Sequence, residues 1–160
     1  MSRERILPTR GRAVPTGYCR WCKGPIRNSR RLTFCCEECV HHHKLRSNPN
    51  YLRRCVLRRD KGICKQCGLD AHTLRSQLMR RVRKEGIVSV YDWSVAHGFT
   101  GCVSLSRRRV FKLWQADHIR PVAQGGGLCG LENIQTLCVP CHRARTAKQA
   151  TARATTRKNY

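Results

Sequence analysis

Asp117 stands directly before His118 in the stretch QADHIRPVAQGGGLCGLENIQTLCVPCH, which closes on Cys138-x2-Cys141 running into His142. A carboxylate, two imidazoles and a thiolate pair are groups that grip divalent cations or carry a proton near neutral pH. Acid is scarce in this chain, with nine Asp and Glu against 33 Lys and Arg. Taken alone, Asp117-His118 reads as a capping carboxylate beside a surface imidazole. The spacing to Asn133 and His142 turns that reading toward a reactive site.

Three CxxC pairs account for half of the twelve cysteines: Cys19/Cys22, Cys64/Cys67 and Cys138/Cys141. A CxxC turn lets two thiolates hold one zinc while the backbone amides of the knuckle satisfy the sulfurs. The first pair finds its second half in TFCCEECVHHH. Cys35 with Cys39 is the expected pair, and Cys36 with Cys39 the alternative. His41, His42 and His43 are expected as solvated residues on the helix that follows. The other two pairs are each half a site, so Cys64, Cys67, Cys138 and Cys141 together make one four-thiolate zinc. Those four sulfurs fill the zinc and leave His142 free. Cys36, Cys55, Cys102 and Cys129 then read as buried small hydrophobes.

The formal net charge is +24. Solubility needs no such excess, and the physical reading is a polyanionic partner whose phosphates release counterions to Lys and Arg. DNA or RNA fits first, and a ribosomal or membrane-surface role is the competitor. Hydrophobic residues make up 40%, a figure the cysteines inflate, and aromatics only 6%. The core should therefore be thin, and structural zinc, worth about 10–16 kcal/mol in small domains, should replace part of it. No apolar run approaches the ~18 residues of a membrane span. MSRERILPTRGRAVPTG has no apolar core and does not read as a signal peptide. The expected location is intracellular, nuclear if the source is eukaryotic, and there the cysteines argue for metal over disulfides.

Positioning these residues requires a small set of elements. Residues 1–17 read as a flexible basic arm and 18–47 as a treble-clef-like zinc knuckle with a helix. A linking helix is expected over 48–62, with Asn48 as N-cap, Pro49 at N1 and Gly62 at its stop. Residues 63–150 form the main domain, with an insert at 69–112 and a basic tail at 151–160. Within the insert, 70–84 reads as a helix with Leu74, Leu78 and Val82 four apart, ended by Gly86, and 89–98 as a second short helix. A strand is expected over 110–119 and its return partner over 134–138. Gly125, Gly126 and Gly127 let the intervening loop bend. Pro140 suits the first turn of a last helix. Trp114 is expected in the core. Neighbours on a regular strand face opposite sides, so Asp117 and His118 share a site only at a strand end, which Pro121 supports.

The pattern CxxC…Asp117-His118…Asn133…CxxC-His142 resembles the HNH endonuclease family, over roughly residues 62–150. With YCRWC and RLTFCCEECVHHHKLRSNP upstream, it resembles still more the branch carried by a zinc-finger, Ran-binding-domain-containing annealing helicase. The resemblance implies an α+β chain whose small ββα-metal core is stapled by zinc, with the knuckle and helices added. It implies a metal-dependent DNA endonuclease that leaves a 5′ phosphate and a 3′ hydroxyl, acting on branched or fork DNA in repair at stalled replication forks. By the same resemblance His118 is the general base, Asp117 and His142 hold Mg²⁺ or Mn²⁺, and Asn133 holds the base-bearing strand, with metal contact left open. Arg120, Arg143, Arg145 and Lys148 are the DNA-backbone candidates, beside the two structural Zn²⁺ sites. The alternative is a zinc-dependent DNA- or RNA-binding module with a vestigial site. DNA is the expected partner, no membrane is involved, and no protein partner is legible.

Overall fold

The computed structural model describes residues 14–127 and 129–158. Most of the expected N-terminal arm and the last two residues of the expected tail lie outside the described residues. The elements run in the order α1 (Glu37–Ser47), α2 (Pro49–Asp60), α3 (Ala71–Glu85), α4 (Ile87–Ala96), β1 (Val103–Ser104), β2 (Arg109–Val110), β3 (Trp114–His118), β4 (Ile134–Cys138) and α5 (Val139–Lys158), with short 3-10 turns at Val122–Gln124 and Leu131–Asn133. The described residues fall into two compact units, one of 14–55 with 120–127 and 129–133, the other of 56–119 with 134–158.

In the first unit, the knuckle turn is closed by Lys23 N–H donating to Cys19 O and Cys19 N–H to Gly24 O. Its core is small: Cys19, Trp21 and Cys39, with Ile26, Phe34 and Cys35 packed against them. α1 carries Glu37 and Glu38 in its first turn and Lys44 and Arg46 in its last, which complements the helix dipole. The three histidines are not solvated as expected but half-buried. His42 stacks on Trp21, His43 packs on Phe34, and His41 shares a 2.8 Å hydrogen bond with the Tyr51 hydroxyl. A chain this poor in aromatics uses imidazole rings as packing surface. Asn48 Oδ1 accepts from the amides of Asn50 and Tyr51, the cap expected ahead of Pro49. The loop 120–133 is drawn together by Asn133, whose Oδ1 accepts from Arg120 N–H at 2.7 Å and whose Nδ2 donates to Arg120 O and Gly126 O at 3.2 and 3.0 Å. A Cβ on Gly126 would fall 1.9 Å from Arg120 O, so this loop closes only on glycine.

In the second unit, Leu78, Val56, Val90, Val110, Leu113 and Leu137 are all at most 2% exposed, and Trp114 joins them as expected. Asp70 Oδ1 caps α3 at Thr73 N–H. Gly86, at φ +86, separates α3 from α4. α4 starts earlier than its sequence expectation because Ile87 and Val90 are buried and belong to it.

The strand expected over 110–119 is two pieces. Arg109 and Val110 pair back on Val103 and Ser104, Phe111 N–H donates to Cys102 O, and Leu113 O receives Val139 N–H. The chain thus changes hydrogen-bonding partners before β3 begins. β3 and β4 pair antiparallel from Trp114↔Cys138 to His118↔Ile134, with Asp117 opposite Gln135. Of the four spare cysteines only Cys102 is buried, where burial raises its thiol pKa. Cys36 is exposed and Cys55 and Cys129 are half-buried, which corrects the expectation for those three.

Asp60, at the end of α2, ties that helix to β4. Its Oδ1 accepts from Arg59 Nε at 2.6 Å and its Oδ2 from Thr136 Oγ1 at 2.8 Å, while Arg59 Nη2 also donates to Ile134 O at 2.6 Å. The Arg59 hydrogen bond holds the Asp60 carboxyl below its usual range, with burial opposing. Thr136 is fully buried, so Asp60→Ala would leave its hydroxyl without this acceptor. The expected cost is about 1–3 kcal/mol, read as a lower urea midpoint with an unchanged m-value.

Candidate active site and metal centres

Two sets of four cysteines converge. The Sγ atoms of Cys19, Cys22, Cys35 and Cys39 lie within 4.8 Å of one another, as do those of Cys64, Cys67, Cys138 and Cys141. Individual separations are 3.6 Å for Cys22–Cys35, 3.4 Å for Cys35–Cys39 and 3.7 Å for Cys67–Cys138. Tetrahedral zinc with ~2.3 Å bonds sets its sulfurs about 3.8 Å apart, so both sets could hold zinc. Burial raises the Cys19 and Cys64 thiols, but backbone amides outweigh it and bring them down to about 6 and about 7. The amides come from Cys22, Cys35 and Trp21 at the first, and from Cys138, Cys67 and Gln66 at the second. Burial and the crowded neighbouring sulfurs push Cys39 and Cys138 up. A dication would relieve that crowding. Of the two pairings left open in TFCCEECVHHH, Cys35 with Cys39 is the one that converges.

The second cluster stands at the junction of β4 and α5, because Cys138 ends one and Cys141 lies in the first turn of the other. The adjacent residue, His142, is therefore fixed in direction. Its Nε2 lies 3.7 Å from Asp117 Oδ1. The other Asp117 oxygen, Oδ2, receives Gln135 Nε2 across the ribbon at 3.2 Å and Arg145 Nε from α5 at 3.2 Å. One carboxylate oxygen is thus tied to protein while the other faces the imidazole. A carboxylate and an imidazole at that separation can share one divalent ion.

His118 is the last residue of β3, so Asp117-His118 does sit at a strand end. Its side chain is half-buried, and it makes no hydrogen bond or ion pair among the described residues. Its carbonyl is fixed instead, accepting from Arg145 Nη2 at 3.0 Å, and the same nitrogen reaches Ile119 O at 2.5 Å.

The arginines expected on DNA divide. Arg145 is spent on Asp117, His118 O and Ile119 O. Arg143 donates to Gly98 O at 3.2 Å and to Thr100 O at 2.5 Å. Both guanidiniums are engaged by protein acceptors. Lys148 is exposed, and the Arg120 guanidinium lies beside Gly125, 3.4 Å from where a Cβ there would be. Sequence reasoning missed Gln135 as an Asp117 partner, since nothing local marks it before the strand register is known.

Zinc-competent thiolates at the base of an antiparallel ribbon and helix, with Asp-His on one strand and His on the helix, define an HNH endonuclease domain, and the chain belongs to the HNH endonuclease family. That family's pattern matches residues 101–148. Among solved structures, the crystal structure of the human ZRANB3 HNH domain is similar with a TM-score of 0.51 and 35% sequence identity, over 70% of this chain and 97% of that one. The DNA annealing helicase and endonuclease ZRANB3 of Mus musculus is 39% identical over 128 residues, and that of Homo sapiens 35% identical over 133. These matches cover 78% and 82% of this chain but 12% of each relative's length.

Proposed function

We propose that the protein is a metal-dependent DNA endonuclease in which His118 is the general base and Asp117 and His142 hold a catalytic Mg²⁺ or Mn²⁺. The 3.7 Å approach of Asp117 Oδ1 to His142 Nε2 is the observation that carries this reading. Bound there, the cation would offset charge on the phosphate and on the leaving oxygen. Neutral His118 takes a proton from the attacking water, a task suited to imidazole near pH 7. Arg145 acts through others: it orients Asp117 and fixes the peptide of His118. Asn133 holds the loop that follows His118. Lys148 and Arg120, with the +24 field, supply phosphate contacts. Branched or fork DNA is the proposed substrate form, in keeping with relatives named as annealing helicases and endonucleases.

The test is incubation of linear, nicked, flap and fork DNA with the zinc-loaded protein and Mg²⁺ or Mn²⁺. Expected are metal-dependent cuts with 5′ phosphate and 3′ hydroxyl ends, fastest on the branched forms. Binding without cutting on every substrate and metal would overturn the reading in favour of a zinc-dependent nucleic-acid-binding module.

A further inference from the structure

Beside Asp117 the second unit contains an open cavity of about 260 Å³, of whose wall only His142 takes part in the proposed hydrolysis. Gly101, Phe111, Lys112, Gln115, His142 and Arg143 contribute to its wall. Most of it is made by the turn before β1 and the segment after β2, within or next to the insert that a minimal ββα unit lacks.

The wall is built. Arg143 ties down its turn through Gly98 O and Thr100 O. Gly101 turns at φ +77, and Phe111 N–H is bonded to Cys102 O. Its chemistry is mixed and specific. Phe111 offers a ring. Gln115 is exposed, and its side-chain amide has no hydrogen-bond partner among the described residues. Lys112 lies 5.9 Å from the Trp114 ring centroid and has no carboxylate partner among the described residues. No acid contributes to the lining.

An aromatic face, an unused amide and an ammonium with no carboxylate partner among the described residues together suit one nucleotide: the ring stacks a base, the amide reads a base edge, and the lysine takes a phosphate. The volume is below the ~300 Å³ where pockets for drug-sized ligands begin, so it suits a single base. Gln115 and Asp117 alternate along β3 and lie on one face of it. His142 belongs both to the cavity wall and to the Asp117 pair, so an occupant would adjoin the phosphate held there.

We propose that this cavity receives the base of the DNA nucleotide next to the scissile phosphate, displaced from its stack. The proposal rests on the nuclease reading and deepens it. Extracting a base costs a few kcal/mol in a paired helix and least where the base is already unpaired. The cavity would therefore make the enzyme prefer a cut flanked by an unpaired nucleotide, which gives branch preference a physical origin.

The test uses the full zinc-loaded chain and DNA carrying 2-aminopurine at successive positions around a junction, paired or unpaired. Without divalent metal, binding should change the probe's fluorescence at one unpaired position, and Lys112→Ala/Gln115→Ala should remove that change. With Mn²⁺, the ratio of kcat/KM for unpaired over fully paired substrate should fall about tenfold in the double variant, the scale of one lost base-edge contact. Both residues are exposed, so the variant should fold, and far-UV circular dichroism checks it. An unaltered ratio, with both substrates losing equally, would show a mere phosphate contact and overturn the proposal. If wild type cuts nothing, the nuclease reading fails by itself, while the metal-free fluorescence still decides whether a base enters the cavity.

Discussion

His118→Ala should lower single-turnover cleavage by about 10²–10⁴-fold while DNA affinity stays the same. Its imidazole holds no hydrogen bond or ion pair among the described residues, and its backbone is fixed by Arg145 rather than by its own side chain. Removing the ring therefore removes a proton acceptor and little else. The formal charge, +24 with histidine neutral, is unchanged, so the electrostatic share of binding persists. Fluorescence polarisation should give matching Kd values and matching salt slopes for the two proteins. Partial rescue of the variant by added imidazole would mark the missing group as a base. Equal cutting by variant and wild type would place proton removal elsewhere.

Loss of the second thiolate cluster should be as severe, and for a different reason. Cys67 is exposed and packs little, so by area alone Cys67→Ser should be mild. Yet it is one of four sulfurs that join the knuckle at Cys64 to the β4–α5 junction. Structural zinc contributes about 10–16 kcal/mol in small domains, comparable with the 5–15 kcal/mol of a domain's whole stability. Asp117 takes its partners from β4 and α5, namely Gln135, His142 and Arg145. Cys67→Ser should therefore halve the zinc content, broaden the thermal transition and abolish cleavage even at saturating Mg²⁺ or Mn²⁺. Stripping zinc with a strong chelator should unfold the wild type, followed by circular dichroism. Retained structure and activity after complete zinc removal would show that the hydrophobic core suffices.

Much of this architecture was legible from residue order because it is set by local chemistry. CxxC spacing marks zinc knuckles wherever they fall, and Asn48-Pro49 starts the helix it precedes. The family pattern around Asp117, His118, Asn133 and His142 is likewise short-range. Other features depend on groups far apart in the chain, and only tertiary structure could decide them. Arg143 and Arg145 look like DNA clamps on a helical face, but each finds backbone carbonyls brought in from a distant turn or strand end. Asp60 is an unremarkable helix-end acid until β4 sets Thr136 against it. Charge and spacing along a chain report what a side chain can do. Which partner it meets depends on strand register and helix docking, and those are settled by the packed core as a whole.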